Sequence, residues 1–260
     1  MRKYRTRSLF HYTRRMENLV NILKSGKLYP NYCSEDLSTA EYPDTILGIP
    51  QVCFCDIPVS MADSFMENYG KYAIGFKKQW GKKNKCNPIQ YVQNDNIINS
   101  ALYFSKLVDK HRDELTSEEI NSNIINGIID NKAKYYMLGF IKKYKGEWKG
   151  REYNNYNENE WRYIVEEGKN NILWKWSEKE YKTWRGQSCK PAATEALKEM
   201  GLSFSFEDIN HIIIMEEKRI PKFIKKLRKA REKNELKIQD ENFELLLSKI
   251  TSFERIKNDY

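Results

Sequence analysis

The run Leu9-Phe10-His11-Tyr12-Thr13 near the N-terminus decides how the start of this chain folds. The run is short, apolar and aromatic, and it predicts a β-strand with a histidine close to its end. A helical segment from Glu17 to Ser25 follows and stops at Gly26. His11 is therefore expected at a strand-to-helix junction, where a histidine can reach into a cleft. A histidine that only supports the fold is the alternative.

The 260 residues are enough for a core that needs no disulfide or metal ion. The composition, with 40% hydrophobic residues and no low-complexity tract, is that of a globular protein. No repeat or linker divides the chain, so a single domain over residues 1–260 is predicted. Helical spacing predicts an inserted helical lobe at about residues 96–145, with isoleucines at 120, 124, 125, 128 and 129.

Strands alternate with helices in the predicted order of elements, which indicates a mixed α/β protein. Strands are predicted from apolar or alternating runs at residues 51–56, 72–76, 88–92, 157–165 and 211–215. Further helices are predicted at residues 60–68, 191–200, 221–233 and 242–250. Residues 31–50, which carry Ser, Asp, Pro and Gly, are expected to form a loop.

Cysteine usage and hydropathy indicate the compartment. The five cysteines are odd in number, show no Cys-x-x-Cys spacing and have no histidine pair nearby, so free thiols are expected and no metal site is predicted. No stretch approaches the roughly 20 apolar residues of a membrane span, and the basic N-terminus leads into no apolar signal segment. A cytoplasmic protein with no membrane partner is expected.

The net charge of +9 is concentrated in two places. One is the N-terminal stretch with Arg2, Lys3, Arg5, Arg7, Arg14 and Arg15. The other, residues 218–233, holds nine Lys and Arg residues against the single acid Glu232. Such patches attract polyanions, so a nucleic-acid partner is a hypothesis, with an ordinary solvated helix face as the alternative.

Few side chains are candidates for acid–base chemistry. His111 lies in a charged helical stretch and His211 opens an apolar strand, so both are expected to be non-catalytic. Glu158 and Glu160, two residues apart on a predicted strand, would share one face with Arg162. A carboxylate beside an arginine stays ionised, which suits it to stabilise a developing positive charge. An exposed strand face with a paired arginine is the alternative.

Several motifs in their order along the chain resemble those of the AbiGi-type abortive phage-infection proteins. They lie at residues 50–58, 69–76, 87–92 and 158–163. The opening segment, with Phe10-His11-Tyr12-Thr13, Asn18-Leu19 and residues 22–28, also resembles the DNA-modifying ADP-ribosyltransferase toxins of the DarT type. The His-x-Thr of this segment is similar to the first strand of poly-ADP-ribose polymerases. Where that branch has a tyrosine in its second strand, this chain has Cys53.

The resemblance to ADP-ribosyltransferases implies an α+β fold with a split β-sheet and NAD, as substrate, in its cleft. His11 would hold the NAD ribose, and Glu160 would stabilise the oxocarbenium-like charge as nicotinamide leaves. Whether Glu158 or Glu160 is catalytic stays open, with Glu160 preferred. The residues expected to contact NAD are His11, Tyr12, Thr13, Asn18, Phe54 and Tyr69.

Two functions follow from these resemblances. The first is an NAD-dependent mono-ADP-ribosyltransferase that acts as an anti-phage toxin on a DNA or RNA acceptor, with a protein acceptor as the alternative. The second is a non-enzymatic, antitoxin-like protein of an abortive-infection system, which acts by binding a partner protein. A nucleic-acid-binding domain without NAD chemistry is a third hypothesis, supported by charge alone.

Overall fold

Strands and helices share the chain in the computed structural model, which describes residues 6–114, 137–148, 150–165 and 191–259. The strands are Ser8–Thr13 (β1), Lys27–Leu28 (β2), Asn31–Asp36 (β3), Ile46–Cys55 (β4), Tyr72–Lys77 (β5), Asn87–Pro88 (β6), Gln90–Val92 (β7), Ile141–Lys143 (β8), Lys145–Trp148 (β9), Arg151–Asn154 (β10), Glu160–Ile164 (β11), Leu202–Ser203 (β12), Ile209–Ile214 (β13) and Ile250–Ser252 (β14). The helices are Met16–Ser25 (α1), Asp63–Tyr69 (α2), Lys78–Lys83 (α3), Asp95–Glu114 (α4), Pro191–Glu199 (α5), Ile220–Glu232 (α6), Asp240–Ser248 (α7) and Phe253–Asp259 (α8). The mixed α+β class is confirmed.

The largest sheet has the strand order β14-β13-β5-β1-β4-β11-β6, and β3 also pairs with β4. Its pairs are antiparallel except β13 with β14. Strand β4 organises this sheet because it is paired on both edges: Gln51 lies opposite Asn31 of β3 and opposite Ile164 of β11. Cys55 likewise lies between Phe10 of β1 and Glu160 of β11. Strands β3 and β1 thus follow one another along the same edge of β4.

One face of the sheet carries the main hydrophobic core. Leu9, Phe54, Ile74, Phe76 and Ile212 project from successive strands into this cluster. The helices that cover it are α1, through Leu19 and Leu23, and α6, through Phe223 and Leu227. Helix α1 has its apolar residues at helical spacing and ends at Gly26, whose φ of +62° is the left-handed conformation.

The opposite face of the sheet packs on a second cluster. Phe10, Cys55, Ala73 and Ile213 project into it and meet Met66 of α2 and Phe253 of α8. Gly75 lies opposite Phe10 in the neighbouring strand, and a Cβ atom there would lie 2.6 Å from Phe10 Cε1. The aromatic ring therefore occupies the place that any larger residue at position 75 would need.

A third cluster surrounds the start of the predicted helical lobe. Helix α4 begins at Asp95, close to the predicted boundary, and buries Ile98 and Leu102 against Leu47 and Ile49 of β4. The isoleucines at 120, 124, 125, 128 and 129 lie outside the described residues. After Leu138 the chain forms strand β8, so the last residues of the predicted lobe are extended rather than helical.

Residues 31–50 and 157–165 also differ from the sequence-based prediction. Residues 31–50 contain β3 and the first half of β4 instead of a loop. The pattern misled because Glu35, a charged residue, occupies a buried position of β3. The strand predicted at 157–165 begins only at Glu160, because Asn155–Glu158 forms a 3-10 turn and Asn159 adopts a left-handed φ of +43°.

Candidate functional site

His11 lies on β1, directly opposite Ile74 of β5. Its ring is half-buried and meets Phe54 edge-on, with the ring centroids 6.0 Å apart. The Nδ1 atom is 3.0 Å from the backbone carbonyl oxygen of Cys53, so Nδ1 carries the proton and donates it. Burial lowers the pKa of His11 despite this hydrogen bond, which keeps the imidazole neutral at pH 7.

Two other predicted residues accompany His11 on this face of the sheet. Asn18 of α1 donates a hydrogen bond from Nδ2 to Thr13 Oγ1, over 3.0 Å. Thr13 is buried at the end of β1, two residues beyond His11. The predicted NAD contacts His11, Thr13, Asn18 and Phe54 therefore lie on the side of the sheet that α1 covers.

Glu160 is held in a buried ion cluster. Its Oε1 atom accepts a hydrogen bond from Arg162 Nε at 2.7 Å, and its Oε2 atom lies 3.1 Å from both Arg162 Nη2 and Lys142 Nζ. Burial works to raise the pKa of Glu160, but the charges of Arg162 and Lys142 outweigh it and hold the pKa well below its ordinary value. The carboxylate is therefore ionised, as expected, but both oxygens already have cationic partners inside the protein.

Arg162 is the centre of this cluster and is fully buried. Besides Glu160, its guanidinium donates to the Glu35 carboxylate at 2.7 Å and to the Gly139 carbonyl at 3.0 Å. Gln51 donates to the same Glu35 oxygen at 3.3 Å. Arg162 thus links β11 to β3 and to the segment before β8, and it is not part of an exposed strand face.

Glu158 lies beside Glu160 but has the opposite electrostatic balance. Its carboxylate accepts hydrogen bonds from Tyr69 Oη at 2.5 Å and from Lys142 Nζ at 2.7 Å. Burial is the strongest influence and raises the pKa of Glu158, although Lys142 works against it. The neighbouring negative charge of Glu160 raises the pKa of Glu158 further.

Glu158→Gln is expected to change how stability depends on pH. The pKa of Glu158 is raised in the folded protein, so its ionisation favours the unfolded chain, and its own contribution to stability falls as pH rises above its unfolded pKa of about 4.3. The glutamine variant lacks this titration. Chemical denaturation at several pH values between 4 and 7 should show that the free energy of unfolding of the variant increases relative to that of the wild type as pH rises. A constant difference over this range would contradict the prediction.

The register of the sheet separates the two predicted catalytic residues. Residues directly opposite each other in an antiparallel pair project to the same face, and sequence neighbours project to opposite faces. Phe10, Cys55 and Glu160 form one row across β1, β4 and β11. His11 follows Phe10, so its side chain lies on the other face, with Phe54. The two residues do not face each other across a common cleft.

The remaining predicted contacts lie on the face of Glu160. Tyr69 bonds to Glu158, and Tyr12, two residues after Phe10, packs with the second hydrophobic cluster. The six predicted NAD contacts are therefore divided between two faces of one sheet. Among the described residues, no group of three or more His, Cys, Asp or Glu side chains is placed to hold a metal ion.

Sequence reasoning missed a tyrosine cluster beside these glutamates. Tyr156 stacks on Tyr144, with ring centroids 5.3 Å apart and planes inclined at 23°, and meets Tyr91 edge-on at 5.4 Å. Tyr91 Oη accepts a hydrogen bond of 2.8 Å from the backbone N–H of Glu160. Tyr156 is 51% exposed, so the cluster reaches from the buried ion cluster to the surface. The three tyrosines are spread over 66 sequence positions and form no local motif, so the sequence pattern does not predict that they cluster.

Comparisons with known proteins identify a family and a relative of this chain. A family model described as "abortive phage resistance protein AbiGi, antitoxin" matches residues 26–216. The abortive phage resistance protein AbiGi of Lactococcus lactis subsp. cremoris is 26% identical over 235 residues, which cover 82% of this chain and 89% of that protein. No solved structure matches. The segment matched by the family model includes Glu158, Glu160 and Arg162, whereas His11 precedes it and α6 follows it.

Proposed function

Because the chain belongs to the AbiGi family of abortive phage resistance proteins, we propose that it is the antitoxin-like member of a two-protein defence system. In this role it binds a cognate toxin protein and restrains it, and it needs no chemistry of its own. The description of the family model as an antitoxin supports the assignment of this chain as the antitoxin and of its partner as the toxin. No described helix is both long and apolar enough to cross a membrane.

The separation of His11 from Glu160 on opposite faces of the sheet is the observation that carries this proposal. A transferase needs the group that holds the ribose and the carboxylate that stabilises the cation on one bound NAD. Here the Glu160 carboxylate is occupied by Arg162 and Lys142, and the His11 Nδ1 atom by a backbone carbonyl. Hydrogen bonds and ion pairs of this kind, made within the protein, are typical of residues that stabilise the fold.

The tyrosine cluster, Tyr91, Tyr144 and Tyr156, supplies a surface suited to a protein partner. Tyrosine is enriched among the residues that dominate binding energy, because it buries a large rigid ring and keeps a polar tip. Tyr156 is backed by two further rings, so it loses little side-chain freedom on binding. We place the toxin contact here.

The direct test is neutralisation of the toxin. A candidate toxin protein is expressed alone and together with this chain in a bacterial host, and growth and complex formation are measured. Arrest by the partner alone, growth in the presence of both proteins, and co-elution in size-exclusion chromatography are the expected results. Arrest caused by this chain itself would contradict the antitoxin role.

Tyr156→Ala is expected to weaken the complex about 30-fold, which corresponds to a loss of about 2 kcal/mol at a central interface residue. Titration calorimetry or surface plasmon resonance with the purified partner measures this change. Tyr103→Ala is the matched control, because Tyr103 is 57% exposed on α4 and is not one of the three tyrosines of the cluster. Equal losses in both variants would show that the partner binds elsewhere.

ADP-ribosyl transfer, with NAD as substrate and an ADP-ribosyltransferase-like sheet, stays a prediction. Incubation of the purified chain with labelled NAD and with DNA, RNA and protein acceptors tests it. The antitoxin proposal predicts that no acceptor is labelled and that no NAD is consumed. Labelling that disappears in the Glu160→Gln variant, while the variant remains folded, would overturn the proposal in favour of the transferase.

A further inference from the structure

The outer face of α6, defined here as the basic face, carries more cations than acids. Its exposed cations form no salt bridge among the described residues: Lys222, Lys225, Arg228, Lys229 and, directly after the helix, Lys233. Three acids lie near them, because Glu232 shares the exposed side, Glu17 feels the charge of Lys222, and Glu235 feels those of Lys229 and Lys233. Their neighbours on the inner side of the helix are paired, Lys226 with Glu17 and Arg231 with Asp240. The helix therefore uses some of its cations for folding and leaves the others facing solvent.

The spacing of these cations forms a continuous stripe. Lys222, Lys225, Lys229 and Lys233 follow one another at intervals of three or four residues, so they lie on one side and span ~16 Å at 1.5 Å per residue. Like charges at this spacing repel each other and weaken a helix by a few tenths of a kcal/mol per pair. Burial of Phe223, Leu227 and Ala230 in the core holds the helix in place despite this repulsion. An external polyanion would relieve it.

The composition of the basic face favours phosphate over a protein surface. Protein interfaces are depleted of lysine and rich in aromatic side chains, whereas contacts to the nucleic-acid backbone are made by lysine and arginine. The exposed side of α6 has four lysines and an arginine against one acid, Glu232, and carries no aromatic residue. The lack of aromatic side chains also disfavours single strands, whose bases stack on such rings.

We propose that the basic face of α6 binds the phosphate backbone of a nucleic-acid duplex without regard to its sequence. The stripe offers four or five point charges to phosphates, and a shallow groove of about 580 Å³ lies along it, lined by the cations Lys225, Arg228 and Lys229 and by one acid, Glu232. This site lies outside the segment that the family model matches, and it shares no residue with the tyrosine cluster. The chain then has two binding surfaces, one for a protein and one for nucleic acid.

The test uses the full chain and a fluorescent 30-base-pair duplex in anisotropy titrations between 50 and 200 mM salt. Each phosphate contact contributes about 0.9 to the slope of log K against log salt, so a wild-type slope of about −3 to −5 is expected. The variant Lys222→Gln/Lys225→Gln/Lys229→Gln should bind about 100-fold more weakly near 100 mM salt, with a slope reduced by about 2 to 3.

The matched control removes the same charge elsewhere. Lys145, Lys198 and Lys257 are equally exposed, but each is paired with an acid, so the variant Lys145→Gln/Lys198→Gln/Lys257→Gln should bind within about threefold of wild type. Circular dichroism melting checks that both variants are folded. A flat salt response, or equal losses in both variants, would overturn the proposal. Equally tight binding of a poly-glutamate peptide, lost in the same α6 variant, would overturn it in favour of an acidic protein partner.

Discussion

Replacing Arg162 with methionine is expected to lower the free energy of unfolding by about 3–5 kcal/mol, the usual cost of removing one partner from a buried ion cluster. The variant leaves the carboxylates of Glu160 and Glu35 buried without the guanidinium that contacts both. It also removes the hydrogen bond to the Gly139 carbonyl, which joins β11 to the segment before β8. Lys142 remains near Glu160 but cannot replace a fully buried cation that reaches Glu35.

Urea unfolding followed by circular dichroism measures this loss. Arg255→Met is the matched control, because Arg255 pairs with Glu217 on the surface and its side chain is 54% exposed. Such exposed pairs contribute about 0–1 kcal/mol. Arg162→Lys should fall between the two, since it keeps the charge but loses the planar, multidentate contact. If Arg162→Met were as mild as the control, the cluster would not stabilise the fold as inferred.

Glu160→Gln is the second substitution with a large expected effect, about 2–4 kcal/mol of unfolding free energy at pH 7. The amide oxygen can still accept one hydrogen bond from Arg162, but the negative charge that faces Arg162 and Lys142 is lost. The same substitution therefore perturbs the fold as well as any chemistry. A loss of activity in this variant is informative only when its folding has been measured.

The pH dependence identifies the source of this stabilisation. The pKa of Glu160 is lowered in the folded state, so its contribution is complete above the unfolded pKa of about 4.3 and is lost as pH falls below that value. The difference in stability between wild type and Glu160→Gln should therefore shrink between pH 5 and pH 3. A difference that stays constant on acidification would mean that shape, rather than charge, explains the loss.

Regular apolar patterns predicted much of the fold. The run ending at Thr13, the strand within residues 51–56 and the helix near residues 221–233 were recognisable because side chains alternate or recur at the period of their element. Helix α4 begins within one residue of its predicted start. These elements bury hydrophobic faces, so their apolar residues recur in the sequence at the period of a strand or a helix.

The site could not be predicted to the same degree because it depends on register and on buried charge. Glu35 and Arg162 read as surface residues, yet they lie inside because they neutralise each other. The 3-10 turn and the left-handed Asn159 removed Glu158 from the strand that was expected to carry it beside Glu160. The order of His11 and Glu160 along the chain resembled a catalytic series, but their faces are fixed by pairing partners far away in sequence.

The strand order also determines at which point of synthesis the large sheet can be completed. Strands β13 and β14 come from the last third of the chain, yet β13 pairs with β5, which itself pairs with β1. While the ribosome is still translating residues before 209, β5 has an open edge and the apolar face of β1 and β5 lacks α6. An open edge of this kind is prone to join other chains. The nascent protein would therefore depend on rapid completion, or on a chaperone, more than a protein whose sheet closes in chain order.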